Sequence, residues 1–249
     1  PQSPIAEKIR MTFGIMGLEW YSVKIPRIPP KPLLTPLTGG YRRTPVLQVG
    51  ADIFCDSQCI AFQLGKLKSK KVAYDPSTRA LELILGSFGE NILFKLTVRI
   101  VLTTSMGVAP EDFIKDRSSL YFEPGWTVEE MQNSLPSVLL QLQSAFELIN
   151  HHLTSHGPYM NGNNPSYADA VIQHCVWFLC GRWDRGDSFI APFKALIKQR
   201  DLITQMGHGS FIDCAPEEAL RIAKNHISPA PSGINCAYTG KLKIGERVR

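Results

Sequence analysis

Thr44-Pro45-Val46-Leu47, followed by Gly50-Ala51-Asp52-Ile53-Phe54-Cys55-Asp56-Ser57, is the stretch that decides the fold. Two short apolar runs flank a Val49-Gly50 turn signal, which predicts a β-hairpin. The second run breaks at Asp56-Ser57, and a helix is predicted from Ser57 to about Leu67. The hairpin thus delivers a carboxylate and a hydroxyl to a helix N-terminus. Such a terminus carries unpaired N–H groups and a partial positive charge, which suit a ligand carboxylate. The acidic side chain beside it suits a ligand amine. A small zwitterion satisfies both.

Upstream, Pro4 to Gly17 places Ile5, Ile9, Phe13 and Met16 on one helical face. Ser3 is the natural N-cap, Pro4 the natural first helical residue and Gly17 the stop. Trp20 to Ile25 reads as a strand, and Pro26 to Pro36 as a Pro-rich loop. Downstream, Lys68 to Lys71 and Asp75 to Thr78 form a polar linker, and strand signals end there. Arg79 to Thr104 predicts one long helix, and Ser105 to Trp126 an irregular, partly helical stretch. Thr127-x-x-Glu130 is a capping box opening another helix. Pro136 predicts a kink or a restart in it, and Val138, Leu142, Ala145 and Ile149 continue its apolar face. After a Gly162-Asn163-Asn164-Pro165 turn, Ser166-Tyr167-Ala168-Asp169 is a second capping box. The helix it opens, to about Phe178, is apolar nearly all round and therefore buried. Two further helices fit Pro192 to Gln205 and Pro216 to His226.

The chain has 249 residues, 44% hydrophobic and 20% charged, which is ordinary for a soluble globular protein of one large or two small domains. Its six cysteines, Cys55, Cys59, Cys175, Cys180, Cys214 and Cys236, form neither CxxC pairs nor zinc spacings. They read as scattered thiols of a reducing, cytoplasmic setting. The net charge of +5 is spread out, without the basic stripe and interleaved aromatics of a nucleic-acid binder. The longest apolar stretch, Ala80 to Leu102, is broken by Glu82, Glu90, Lys95 and Arg99, so it reads as a core helix and not a membrane span. His151, His152 and His156 cluster at a helix C-terminus, where cations are favoured anyway, and lack partners at metal-ligand spacing. No metal is expected. His174, Trp177, Phe178 and Trp183 read as core.

The chain resembles the glutathione transferases. In that family a Pro with a cis peptide bond opens a strand of the thioredoxin-like N-terminal domain, and an acidic-Ser pair lies eleven and twelve positions on. Pro45, Asp56 and Ser57 reproduce that spacing. The small-residue turn followed by Ser-x-Ala-Asp, here Ser166 to Asp169, resembles the start of the central helix of the all-α C-terminal domain. The resemblance covers roughly Ser3 to His226. It implies a thioredoxin-like domain over 1–68, a linker over 69–78, an all-α domain over 79–226 and an extension over 227–249, the last resembling the start of an appended β-module. A thioredoxin-like domain begins with a strand, whereas Pro1-Gln2-Ser3-Pro4 leads almost directly into a helix. The first strand is therefore expected to be missing. At the other end, Lys241 to Arg249 alternates like a strand.

The same resemblance implies the chemistry. Asp56 takes the γ-glutamyl amine of glutathione, and Ser57, with its backbone N–H, takes the γ-glutamyl carboxylate. Thr44 pairs its backbone with the cysteinyl backbone, a small case of strand addition. Arg42 or Arg43 meets the glycyl carboxylate, or is a solvated loop charge. Ser3-Pro4-Ile5-Ala6-Glu7-Lys8-Ile9-Arg10 resembles the catalytic layout of tau-like and omega-like members. A free thiol has a pKa of about 8.5. Lowering it takes a hydrogen bond to the sulfur and a nearby helix N-terminus, and Ser3 sits where it supplies both. Ser3 is thus a candidate catalytic residue; its competing role is a plain N-cap. Cys55 and Cys59 flank the site and read as packing. The implied activity is conjugation of glutathione to a hydrophobic electrophile by a homodimer. The alternative is a non-catalytic glutathione-binding or protein-interaction module. A glutathione-dependent reductase is disfavoured, because residue 3 is not Cys.

Overall fold

The computed structural model describes residues 3–67 and 79–228. The predicted linker 69–78 and, beyond Ser228, the extension lie outside the described residues. The first half runs α1 (Pro4–Met16), β1 (Glu19–Val23), α2 (Thr35–Thr38), β2 (Val46–Val49), β3 (Asp52–Cys55) and α3 (Ser57–Leu67). Ser3 caps α1, its side chain accepting from the Ala6 N–H, and Gly17 ends the helix in the left-handed region at φ 58°. Gly50 turns the β2–β3 hairpin at φ 61°, and Val46 pairs with Cys55 in antiparallel register. This is the thioredoxin-like order expected from the hairpin.

The second half runs α4 (Arg79–Phe88), a π turn (Gly89–Leu93), α5 (Phe94–Ser105), α6 (Glu111–Tyr121), α7 (Val128–His156), α8 (Tyr167–Cys180), α9 (Gly186–Ile190), α10 (Lys194–Met206), β4 (Ser210–Cys214) and α11 (Pro216–Asn225). Both capping boxes form, with Thr127 and Glu130 bonding reciprocally at the start of α7 and Ser166 and Asp169 at the start of α8. α8 is the hub. It packs against α1, α4, α5 and α10, and Tyr167, Ala168, Ala170, Val171 and Ile172 are fully buried. Ile9 and Phe13 of α1, Ile60 and Leu64 of α3, and the helices around α8 share one core. Among the described residues, no helix is long and apolar enough to cross a membrane.

Four expectations need correction. Strand structure does not end with the first half: β4 pairs in parallel with β1, Glu19 opposite Ser210. The long helix from Arg79 is interrupted, since in the π turn the Phe94 N–H bonds the Gly89 carbonyl five residues back. Of the kink or restart expected at Pro136, the restart does not occur, since α7 continues through it for 29 residues. Finally, α1 is buried on more than its Ile5-Ile9-Phe13-Met16 face, because α8 and α10 cover the other side, enclosing Lys8 and Thr12 completely.

A Gly207-His208-Gly209 turn fastens the end of the helical half to α1. The Trp20 indole donates to the His208 carbonyl at 2.7 Å, and the His208 ring meets the buried Glu7 carboxylate at 2.7 Å. Gly14 of α1 lies so close that a Cβ there would sit 2.0 Å from the Gly207 carbonyl oxygen. Backbone stands on both sides of this contact, so neither side yields cheaply. Gly14→Ala is expected to destabilise the protein by about 2–3 kcal/mol, read as a lower midpoint in urea unfolding.

Candidate functional site

The site is built where α1, the β2–β3 hairpin, α3 and the π turn meet. A cleft of 1470 Å3 opens there. Ser3, Arg43, Thr44, Pro45, Asp56 and Ser57, the six residues singled out in the sequence, all line it. The Thr44–Pro45 peptide bond is cis.

Asp56 is the N-cap of α3. It holds φ 72°, a region Asp tolerates better than most residues. Its Oδ1 accepts from the Gln58 N–H at 2.9 Å and the Cys59 N–H at 3.1 Å. The second carboxylate oxygen has no partner among the described residues. Ser57 is 4% exposed, and its hydroxyl donates to Glu90 Oε1 at 2.7 Å. That proton is therefore committed. What Ser57 offers to an anion is its backbone N–H, which as the first of the helix has no intrahelical acceptor.

Glu90 and Lys8 are the residues the sequence reading missed. Lys8 is wholly buried on α1, and its Nζ meets Glu90 Oε1 at 2.5 Å. The Gln58 side chain donates to Glu90 Oε2 at 3.2 Å. Burial works against ionisation of Glu90, but the attraction of Lys8 and the bonds from Lys8, Ser57 and Gln58 hold the carboxyl below its ordinary range. Glu90 lies in the π turn, where one extra residue shifts the phase of the helix. Gly89 beside it lets the turn press onto α8, since a Cβ there would come 2.1 Å from Val171. A buried ion pair thus ties α1, α3 and the helical half together directly beneath the α3 N-terminus. A signal was present: Gly86 and Gly89 in an otherwise apolar helix mark a close approach.

Ser3 stands at the other side of the cleft. Its Oγ accepts from the Ala6 N–H at 3.3 Å. No acceptor for its own proton is found among the described residues. The apolar wall comes from the second half and includes Phe94, Val98, Phe113, Tyr121 and Phe178. Burial, then the neighbouring Cys59, push the Cys55 thiol up, so it is a poor nucleophile at neutral pH. His174 is fully buried, bonds the Ala170 carbonyl and is pushed down to about 3 by burial, as a core histidine. No group of potential metal ligands is found among the described residues.

Residues 1–71 match the family profile described as glutathione S-transferase, N-terminal domain. No curated protein matches the chain. Among solved structures, a GST-like protein from Pseudomonas syringae is similar at 32% identity and a TM-score of 0.70, over 94% of this chain and 75% of that one. A glutathione S-transferase of Ceriporiopsis subvermispora, solved in complex with glutathione, shares the fold at 20% identity and a TM-score of 0.60, over 82% of this chain and 91% of that one. The spacing of Pro45, Asp56 and Ser57, the two-part architecture and the likeness to the Pseudomonas syringae protein agree: the chain belongs to the glutathione S-transferase family.

Proposed function

We propose that the protein conjugates glutathione, through its thiolate, to a hydrophobic electrophile. The observation that carries this reading is the state of Ser3. Its hydroxyl oxygen is satisfied by the Ala6 N–H, and its proton is left for an acceptor in the cleft, at the N-terminus of a 13-residue helix. A thiolate fits both the donor and the helix dipole. In this reading, the free oxygen of Asp56 takes the γ-glutamyl amine. The Ser57 N–H takes the γ-glutamyl carboxylate, Thr44 aligns the cysteinyl backbone, and Arg43 meets the glycyl carboxylate. The thiol proton passes to solvent, and the thiolate attacks an electrophilic carbon against the apolar wall. As the C–S bond forms, the bond from that carbon to its leaving group breaks, and the leaving group departs to solvent with the electron pair. A homodimer and a cytoplasmic setting belong to the same reading, the second supported by five free cysteines among the described residues.

The glutathione-bound relative from Ceriporiopsis subvermispora supports glutathione as the co-substrate. The test is a calorimetric glutathione titration beside a conjugation assay, on wild type and Ser3→Ala. Ser3→Ala is expected to lower conjugation about 100-fold, as loss of one charge-stabilising donor does, with glutathione affinity within about twofold. Equal activity in both forms removes Ser3 from the mechanism. A folded protein that binds no glutathione leaves the fold and overturns the transferase reading.

A further inference from the structure

α6 and the Pro-rich loop bring an excess of positive charge to one end of the cleft. The guanidinium carbons of Arg27 and Arg117 lie 4.5 and 5.2 Å from the centroid of the same Phe113 ring. Arg117 Nη2 donates to the Arg27 carbonyl at 2.7 Å. Asp116 is shared between Arg42, at 2.8 Å, and Arg117, at 3.2 Å. Lys31, only 8% exposed, donates to the Arg42 carbonyl at 3.0 Å and pairs with no carboxylate among the described residues. Among the described residues, one carboxylate therefore serves these four cations. Those four residues line the cleft with Phe113, and Asp116 is not among its lining residues.

Holding like charges together costs stability unless something offsets it. Burial and then the neighbouring cations Arg117 and Arg42 push the Lys31 ammonium down. Burial and then Arg117 and Arg182 do the same to Arg27. Among the described residues, the carboxylates lining the cleft are Glu19, Asp56, Glu90 and Glu218. Three of them are engaged elsewhere: Glu90 with Lys8, Glu218 with Arg221, and Asp56 with the α3 N-terminus. The cations lie inside a cleft with an aromatic wall, not along an open stripe, so a small molecule fits them better than a nucleic acid.

We propose that this end of the cleft binds the anionic group of an acidic aromatic second substrate, an electrophile bearing a carboxylate or sulfonate on a planar apolar body. The proposal rests on the transferase reading. Glutathione itself brings one glycyl carboxylate to this side; in the transferase reading it is assigned to Arg43, and the second anion is assigned to Arg27, Lys31, Arg42 and Arg117. The apolar body lies against Phe94, Tyr121 and Phe178, and the anion offsets the uncompensated charge of Arg27 and Lys31.

The test uses the full chain with glutathione saturating and two probes of one shape. These are 8-anilinonaphthalene-1-sulfonate and the uncharged N-phenyl-1-naphthylamine, titrated by fluorescence. The sulfonate is expected to bind about tenfold more tightly at low salt, with the gap closing at high salt as the charges are screened. Arg27→Ala and Lys31→Met should each shrink that ratio several-fold and leave the neutral probe's affinity unchanged. Arg27 is the cleaner substitution, because its guanidinium makes no hydrogen bond or ion pair among the described residues. Equal affinities for the two probes in wild type, or a ratio that neither substitution moves, overturns the anion site. Glutathione is titrated separately. Glutathione binding without a charge preference overturns the anion site alone. Absence of glutathione binding overturns the transferase reading and, with it, the assignment of the anion to a second substrate.

Discussion

Asp169→Ala is expected to lower the free energy of unfolding by about 3–5 kcal/mol, the largest loss from any single change considered. Asp169 is completely buried. Its Oδ1 accepts from the Met160 N–H at 2.7 Å and from Gln199 Nε2 at 2.6 Å. Its Oδ2 accepts from the Ser166 N–H at 2.7 Å and, more distantly, from the Ser166 hydroxyl at 3.4 Å. Alanine leaves these donors facing protein, where water cannot replace the lost acceptor. The pH dependence has a definite sign. Burial pushes the Asp169 carboxyl up to about 6 against these bonds. A folded value above the unfolded one, about 3.9, means that the contribution from protonation is complete below about pH 4 and is lost as pH rises towards 6. Guanidinium unfolding of wild type and Asp169→Asn across that window checks it: the wild type should lose stability relative to Asp169→Asn as pH rises from 4 to 6.

Lys8→Met is the second large effect, with an expected cost of about 3 kcal/mol. The Lys8 ammonium is wholly buried and the Glu90 side chain is 23% exposed. Replacing the lysine strands a mostly buried carboxylate, and breaking such a pair from one side is the costly way to lose it. Removing both charges in Lys8→Met/Glu90→Gln should restore part of the loss, with a coupling of about 1–3 kcal/mol. The Glu90 carboxyl is held below its ordinary value. Its contribution is therefore present above the unfolded value, about 4.3, and disappears as pH falls through the lower folded one. Chemical unfolding on the acid side should show this loss in wild type and not in the double variant. Two single substitutions whose effects simply add would remove the ion pair from the account. Because Glu90 also accepts from Ser57 and Gln58, Lys8→Met should disturb the first turn of α3 as well as stability.

What was legible in the sequence was local. The hairpin turn at Gly50, the start of α3 at Ser57 and the capping boxes at Thr127 and Ser166 each depend on residues a few positions apart. Each forms where its side chains placed it. The six candidate site residues share one cleft because the hairpin and two helix N-termini converge there. What was hidden depended on distant or exceptional geometry. β4 shows no sharp alternation, and Phe211 and Ile212 are 52% and 65% exposed, so hydrophobic patterning could not mark it as a strand. The π turn is a phase shift within a continuous apolar pattern, which a helical period does not register. Pro136 reads as a kink or a restart because it removes one helix bond. Yet Gln132, whose carbonyl loses that bond, and Pro136 itself face solvent, so water satisfies the carbonyl and the 29-residue helix continues.

The pairing of β1 with β4 sets an order on the birth of the molecule. Glu19 and Ser210 are neighbours in space and about 190 residues apart along the chain. At about 5–20 residues per second, ribosomal synthesis takes roughly 10–40 s to travel from one to the other. Throughout that interval β4 is not yet there to receive β1, and an unpaired edge is a template for unwanted partners. The pairing of β1 thus depends on a helix-to-strand turn made about 190 residues after it. Only when Gly207-His208-Gly209 has emerged can the chain close on itself.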